Sequence, residues 1–228
     1  MASNYTNIIL AVPHAVGDPL DCDWREDAKV AASARRWTDW HTDKLFSVED
    51  GRIVVVKGRL SRFDCDDERL EHENDRLCRY ALEGGIDPNG IGAKQWNARL
   101  AEWFWYRAEL MSAAARGEHP LIIDSHSFPS DLAPDVDICI GFNEDGSKPS
   151  EETLAVVTRA FEAAGYKVAC NNPLPWPKAF REGWREVWRL WAWLDSGGGR
   201  PVGRFAYRGH LVQDVLRTIW GWAVACAD

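Results

Sequence analysis

Two histidines of this chain lie at or near the ends of apolar runs. His14 follows "NIILAVP", and His126 is near the end of "LIIDSHS". Two imidazoles and one carboxylate make a zinc site of the open, hydrolytic kind, in which a fourth position is left for a water molecule whose pKa falls to about 7. The segment "WTDWHTDKLF" offers Asp39 and Asp43 for the carboxylate, since residues four apart share one face of a helix. The pattern predicts a metal site for hydrolysis.

Each of these residues also has a purely structural interpretation. A histidine at a strand end is often a hydrogen-bonded loop residue, and a pair of aspartates is usual on the solvated face of a helix. Asp124 is placed to orient His126 or to cap a turn rather than to bind a metal. On residue types and spacing alone, both interpretations stay open.

The elements that must position these residues alternate between strands and helices. Short apolar runs predict strands, and longer periodic segments predict helices. The predicted strands are 8–12, 52–63, 120–127, 136–142 and 166–172, and the predicted helices are 27–48, 96–117 and 150–165. This order indicates an α/β fold with a mixed, mostly parallel sheet that is covered on both faces. Functional groups of such folds collect beyond the carboxyl ends of the strands.

The composition argues against several classes of partner. With 228 residues and a formal charge of −8, we expect a single domain, residues 1–228, without the basic surface that attracts nucleic acid or an anionic membrane. A small polar substrate is the expected partner. We find no signal peptide, no apolar run of about 18 residues and no CxxC pair among the six cysteines. These features predict a cytoplasmic protein with reduced thiols.

Six motifs together resemble one known family. The motifs are "AVPHAVGDP", "TDWHTDKLF", "SRFDCDDERL", "LIIDSHSFP", "DVDICIGFNEDG" and "VACNNP". In this order they are similar to those of the N-formylglutamate amidohydrolase family, over about residues 8–173. The resemblance implies a three-layer α/β/α fold similar to that of zinc carboxypeptidases. It also implies hydrolysis of N-formylglutamate, or of a similar N-acyl compound, to formate and glutamate in amino-acid catabolism.

The resemblance implies a set of metal ligands. His14 and His126 are similar to the two histidine ligands of the family. Asp43 is the chosen carboxylate ligand, with Asp39 as the second choice. We expect Zn²⁺, although two imidazoles and a carboxylate also accept other divalent metals. A metal-bound water would then attack the formyl carbon.

The resemblance also implies residues that hold the substrate, a small anionic N-acyl amino acid. These are Arg62, Arg69 and Asn171. The planar guanidinium of Arg62 suits a carboxylate because it donates two parallel hydrogen bonds. An ion pair with one of the aspartates of residues 64–67 is the equally open alternative, and Asp66 is expected to brace an arginine.

The general base of the reaction is not identified. The family pattern continues after residue 173 with a later strand that carries a glutamate, whereas the glutamates of residues 174–228 are Glu182 and Glu186. Neither lies in a segment that matches the family. We therefore assign no residue to the removal of the proton from water.

Residues 174–228 are rich in tryptophan and have two open interpretations. Trp184, Trp188 and Trp191 have the i, i+4, i+7 spacing of an amphipathic helix. A shifted reading frame that begins near Leu174 would also produce such a composition. Three functional hypotheses follow: an N-formylglutamate amidohydrolase, a hydrolase of the same fold for another N-acyl amino acid or peptide, and a catalytically impaired metal-binding homologue.

Overall fold

The computed structural model describes residues 7–17, 32, 36–51, 53–68, 93–117, 120–129, 132–142, 149–172 and 187–194. The strands are β1 (Asn7–Val12), β2 (Ile53–Lys57), β3 (Pro120–Pro129), β4 (Ile138–Gly141), β5 (Val168–Cys170) and β6 (Val187–Leu194). The helices are α1 (Thr42–Leu45), α2 (Ala93–Ala114) and α3 (Glu151–Ala163). None of the described helices is long and apolar enough to cross a membrane.

The six strands pair into one mixed sheet in the order β2-β1-β3-β6-β4-β5. β1, β2, β3 and β6 run in one direction, and β4 and β5 run in the other. The register sets Leu10 of β1 beside Val55 of β2 and Ile123 of β3. The predicted mostly parallel α/β sheet is confirmed. The single-domain, three-layer, carboxypeptidase-like arrangement stays a prediction.

β1 is buried on both faces of the sheet. Successive residues of a strand point to opposite faces. Accordingly, the even-numbered residues of β1 pack with Leu45 of α1 and Phe161 of α3, whereas Ile9 and Ala11 pack with Tyr106 of α2. Burial on both faces explains why this strand is a continuous apolar run rather than an alternating pattern.

Helix α3 begins after Ser150 and ends before Gly165, the two residues that the sequence indicates as its caps. The Ser150 hydroxyl accepts a hydrogen bond from the backbone N–H of Thr153 at 3.1 Å, which satisfies one of the unpaired donors of the first turn. Gly165 follows the helix with a φ of 88°, a left-handed conformation that glycine adopts without a steric penalty. The predicted helix 150–165 is therefore confirmed.

The predicted continuous helix 27–48 is wrong in its described part. Residues 38–41 are not helical, and α1 is a separate helix of four residues. His41, which precedes α1, has a φ of 62°. A residue in the left-handed region cannot continue a right-handed helix, so the chain changes direction here.

The tryptophan-rich tail contributes a strand, not the helix considered above. β6 lies between β3 and β4 and pairs with both. The amphipathic-helix interpretation of Trp188 and Trp191 is therefore wrong, and Trp184 lies outside the described residues. Tryptophan and valine favour extended structure where neighbouring strands supply partners, as they do on both sides of β6.

Gly58 lets the chain that follows β2 lie directly against the chain that follows β1. Its backbone N–H donates to the carbonyl of Val12 at 2.9 Å. A Cβ at this position would lie 2.0 Å from the carbonyl oxygen of Pro13 and 2.7 Å from Oδ2 of Asp67. The two loops that begin here carry His14 and Asp66, so this close approach sets the distance between those side chains.

We expect Gly58→Ala to lower the free energy of unfolding by about 1–3 kcal/mol, because the added methyl group overlaps backbone atoms that cannot rotate away. Urea unfolding measures this change. Gly51→Ala is the matched control, since a Cβ at Gly51 meets no atom within 4 Å. Equal stability of the two variants would contradict this account of Gly58.

Candidate metal centre

The structure brings together the two histidines that the sequence singled out. His14 lies just beyond the end of β1, and His126 lies within β3. Their ring centroids are 5.0 Å apart, and both residues are fully buried. The hydroxyl of Thr42 donates to the carbonyl of His14 at 2.8 Å and fixes the turn that carries the first ring. The neighbouring parallel strands β1 and β3 thus deliver both imidazoles to one edge of the sheet.

Asp39 lies between the two imidazoles on their Nδ1 side. Its Oδ2 is 2.8 Å from Nδ1 of His126 and 3.4 Å from Nδ1 of His14. Its Oδ1 accepts a hydrogen bond from Nη1 of Arg62 at 2.7 Å, and the backbone N–H of Ser127 donates to Oδ2 at 3.3 Å. One carboxylate oxygen and two ring nitrogens therefore converge on a single point.

The Nε2 side of the imidazoles faces other carboxylates. Oδ1 of Asp66 is hydrogen-bonded to Nε2 of His14 at 3.0 Å. Oδ1 of Asp124 lies 3.0 Å from Nε2 of His126. A carboxylate beside one ring nitrogen favours the proton on that nitrogen and leaves the other nitrogen free to bind a metal. Both nitrogens of each ring therefore have a carboxylate nearby, and with a metal ion bound beside Asp39 the remaining proton of each ring would lie on its Nε2 side.

The structure places Asp39, not Asp43, against the histidines. Asp43 is in α1 and only partly buried, and its backbone carbonyl accepts a hydrogen bond from Nζ of Lys57 at 2.8 Å. The two aspartates do not share one helix face because His41 interrupts the helix between them. Asp39, the second choice for the carboxylate ligand, therefore occupies the position that Asp43 was expected to take.

The three predicted substrate-binding residues lie in different places. Arg62 is buried and forms ion pairs with Asp39 at 2.7 Å and with Asp66 at 3.8 Å. Arg69 lies outside the described residues. Asn171 follows β5, where its side-chain oxygen accepts a hydrogen bond from the backbone N–H of Phe142 at 2.9 Å. In the sheet, β6 and β4 separate β5 from β3, so Asn171 is not brought beside the histidines.

Glu68 belongs to this cluster and was not singled out by the sequence analysis. Its Oε1 is 3.1 Å from Nε2 of His126, and its Oε2 is 3.7 Å from Nε2 of His14. The sequence signal for it is slight, namely a carboxylate two residues after Asp66 in the loop that follows β2. Because the contacts join distant segments, no local periodicity reveals them.

The charges of the cluster shift the pKa values of its members. Burial by itself raises the pKa of Asp39, but the charges of His14 and Arg62 and hydrogen bonds from both histidines outweigh it and hold this pKa well below its usual range. Burial by itself lowers the pKa of His126, but interactions with Asp124 and Asp39 prevail and raise it to about 9. Asp39 is therefore ionised, and His126 holds a proton tightly.

These residues fit a divalent metal ion. Donor atoms of His14, Asp39 and His126 lie within 4.8 Å of one another, as do those of two sets on the Nε2 side, namely His14, Asp66 and Glu68, and Glu68, Asp124 and His126; all of these residues are buried. Two imidazoles and one carboxylate are a donor set that zinc accepts. Four buried carboxylates also surround the two rings, and the positive charges in contact with them come from Arg62 and from protonated imidazole. Buried negative charges need opposite charges nearby, which a divalent ion would provide.

The sequence matches the family model described as N-formylglutamate amidohydrolase over residues 6–185. This match covers well over half of the chain and includes the cluster of histidines and carboxylates. It also extends past residue 173, into the tryptophan-rich tail. No curated protein gives a significant match.

Two solved structures share the fold. The N-formylglutamate amidohydrolase from Ralstonia eutropha JMP134 has a TM-score of 0.74 and 17% sequence identity, over 94% of this chain and 93% of that one. The gene product Atu2144 from Agrobacterium tumefaciens has a TM-score of 0.59 and 17% identity, over 93% of this chain and 90% of that one. At this identity the likeness concerns the fold alone.

We expect the apparent affinity for Zn²⁺ to rise with pH up to about 9, because a proton and the metal compete for His126, whose pKa is about 9. Below that pH, binding must displace the proton, so the affinity should fall about tenfold per pH unit. Competition with a chelator between about pH 6.5 and 9 measures this. An affinity that does not change over this range would contradict the pairing of His126 with Asp124 and Asp39.

Proposed function

The chain belongs to the N-formylglutamate amidohydrolase family, a family of amide-bond hydrolases, and we propose that it hydrolyses N-formylglutamate to formate and glutamate. The observation that carries this proposal is the single Asp39 oxygen that lies between the Nδ1 atoms of His126 and His14, at 2.8 Å and 3.4 Å. It supports a divalent metal, in the first place Zn²⁺, held by these three residues. The proposed ligand set is therefore His14, Asp39 and His126.

The chemistry of the donors suits the proposed reaction. Zn²⁺ bound there would supply Lewis acidity, which polarises a carbonyl and lowers the pKa of water to about 7. Imidazole is a neutral ligand, so it leaves positive charge on the ion, and Asp39 alone among the three ligands contributes a negative charge. Burial of all three ligands keeps bulk water from weakening their electrostatic interactions.

Residues around the three donors hold them in place. Arg62 donates to Oδ1 of Asp39, and the backbone N–H of Ser127 donates to Oδ2, so both carboxylate oxygens are held. Asp66 and Asp124 face the Nε2 atoms of the two rings. Each donor therefore has a partner that restricts its rotation, which is the usual support of a catalytic metal site.

Arg62 is a proposed substrate contact that lies beside the metal position, although its guanidinium also forms the ion pairs with aspartates that were the alternative interpretation of this residue. It lies beside Asp39, so a substrate carboxylate bound by its guanidinium would place an attached formyl group close to the proposed metal position. Arg69 remains a second proposed contact. Asn171 has less support, because its amide oxygen is already used by Phe142 and because it lies beyond β6 and β4 in the sheet.

The second candidate function is metal binding with impaired catalysis, so that the protein would be a weakly active homologue of the family's enzymes. The observation that favours it is the sequence of β6, VWRLWAWL, which lies next to β3 and contains no carboxylate. The proton of the attacking water needs an acceptor. Glu182 and Glu186 lie outside the described residues, so neither is given that role.

We expect the purified protein to contain about one zinc per chain and to release formate from N-formylglutamate in a reaction that stops on chelation. Asp39→Asn should weaken Zn²⁺ binding by more than about 100-fold, because the loss of a residue that only hydrogen-bonds to a metal ligand already lowers metal affinity about 10- to 100-fold. Elemental analysis and a formate assay measure both. Metal without formate release would favour the impaired homologue or another N-acyl substrate, and absence of metal would overturn the proposed centre.

Asp43→Asn is the matched control for this variant. It makes the same chemical change in the same segment of the chain, on a side chain that lies outside the cluster. It should leave both metal content and formate release unchanged. A larger loss in Asp43→Asn than in Asp39→Asn would restore Asp43 as the ligand.

A further inference from the structure

Glu68 spans the two imidazoles on their Nε2 side. Its Oε1 lies 3.1 Å from Nε2 of His126, and its Oε2 lies 3.7 Å from Nε2 of His14. On the same side, Asp66 contacts His14 and Asp124 contacts His126. Asp66 and Asp124 thus face one ring each, whereas Glu68 presents one oxygen to each ring.

Glu68 is buried with the rest of the cluster but is slightly more exposed than the neighbouring aspartates. Its side chain is 10% exposed, compared with 0% for Asp66 and 1% for Asp124. Its backbone N–H donates to Oδ1 of Asp66 at 3.2 Å, which fixes the turn that carries the side chain. Glu68 therefore contacts the rings from within the buried cluster, on a backbone that is hydrogen-bonded to Asp66.

The geometry of an imidazole separates the roles of its two nitrogens. Nδ1 and Nε2 point to different sides of the ring, so an ion bound to one nitrogen leaves the other as an N–H donor. A carboxylate that faces this N–H stabilises the tautomer that binds the metal and orients the ring. With the ion proposed at Asp39, Asp66 has this place beside His14 and Asp124 has it beside His126, and Glu68 adds one carboxylate that is near both Nε2 atoms.

We propose that Glu68 is a positioning residue that keeps both imidazoles protonated at Nε2 when the metal is bound, so that both Nδ1 lone pairs face the ion held beside Asp39. Neither contact has hydrogen-bond geometry, so at 3.1 Å from His126 and 3.7 Å from His14 the carboxylate acts on both rings by its charge. Asp39 and Glu68 then hold the histidine pair from opposite sides. This inference rests on the proposed metal site, but not on its catalytic activity.

The test compares Zn²⁺ affinity in the wild type, Glu68→Gln and Glu109→Gln, measured by chelator competition. Glu68→Gln keeps the size of the side chain and removes its charge, so we expect binding about tenfold weaker. Glu109 is exposed on α2, and its variant makes the same chemical change away from the cluster; its affinity should equal that of the wild type. Glu68→Asp keeps the charge and should recover part of the loss.

Proton–nitrogen NMR spectra of the zinc-loaded proteins show which ring nitrogen carries the proton. If Glu68 only supported the local fold, its substitution would leave these signals unchanged. In the wild type, both rings should carry the proton on Nε2, and in Glu68→Gln both Nε2–H signals should shift. Unchanged affinity and signals in Glu68→Gln would overturn the proposal. A proton on Nδ1 of the wild-type rings would also overturn it, because the metal would then lie on the Nε2 side with Glu68 as a ligand. A second zinc per chain that is lost in Glu68→Gln would overturn it as well.

None of these measurements depends on substrate turnover. A protein that releases no formate but shows the expected affinities and spectra would contradict the proposed function and leave the role of Glu68 intact. Should Glu68→Gln fail to fold, the wild-type spectrum alone still decides which ring nitrogen carries the proton, and the Glu68→Asp affinity still tests the side chain.

Discussion

The interaction on which the site depends is a carboxylate buried between two imidazoles. Asp39 is 4% exposed and contacts both histidines and Arg62. An ionised carboxylate in such a place costs several kcal/mol unless donors and opposite charges surround it. Part of this stabilisation comes from the Arg62 guanidinium, the backbone N–H of Ser127 and the two rings. A divalent cation would supply the rest, which is the physical reason to regard the cluster as a metal centre.

The sheet brings these groups together because its parallel strands end at a common edge. β1 and β3 are neighbours, so the histidines that they carry are neighbours too. The loops after β1 and β2 meet at Gly58 and again at the bridge between Val16 and Ser61. Strands buried on both faces have little freedom to shift, and a site built on them keeps its donors at fixed distances.

Part of this arrangement could be predicted from the sequence. His14 and His126 were predicted because polar residues at strand ends gather at one edge of an α/β sheet. The choice of Asp39 could not be predicted, since periodicity treats residues 27–48 as one helix and the left-handed His41 leaves no pattern. Glu68 was missed because its contacts join distant segments. β6 was missed because tryptophans spaced for a helix also favour extended structure, and the neighbouring strands decide between the two.

The most direct test of the metal centre is an anomalous difference map from crystals of the zinc-loaded protein. The account predicts one zinc peak about 2.0–2.1 Å from Nδ1 of both His14 and His126, with the carboxylate of Asp39 as a third ligand. A peak on the Nε2 side, beside Glu68, would contradict the assigned ligands. Absence of zinc from the cluster would contradict the metal centre itself.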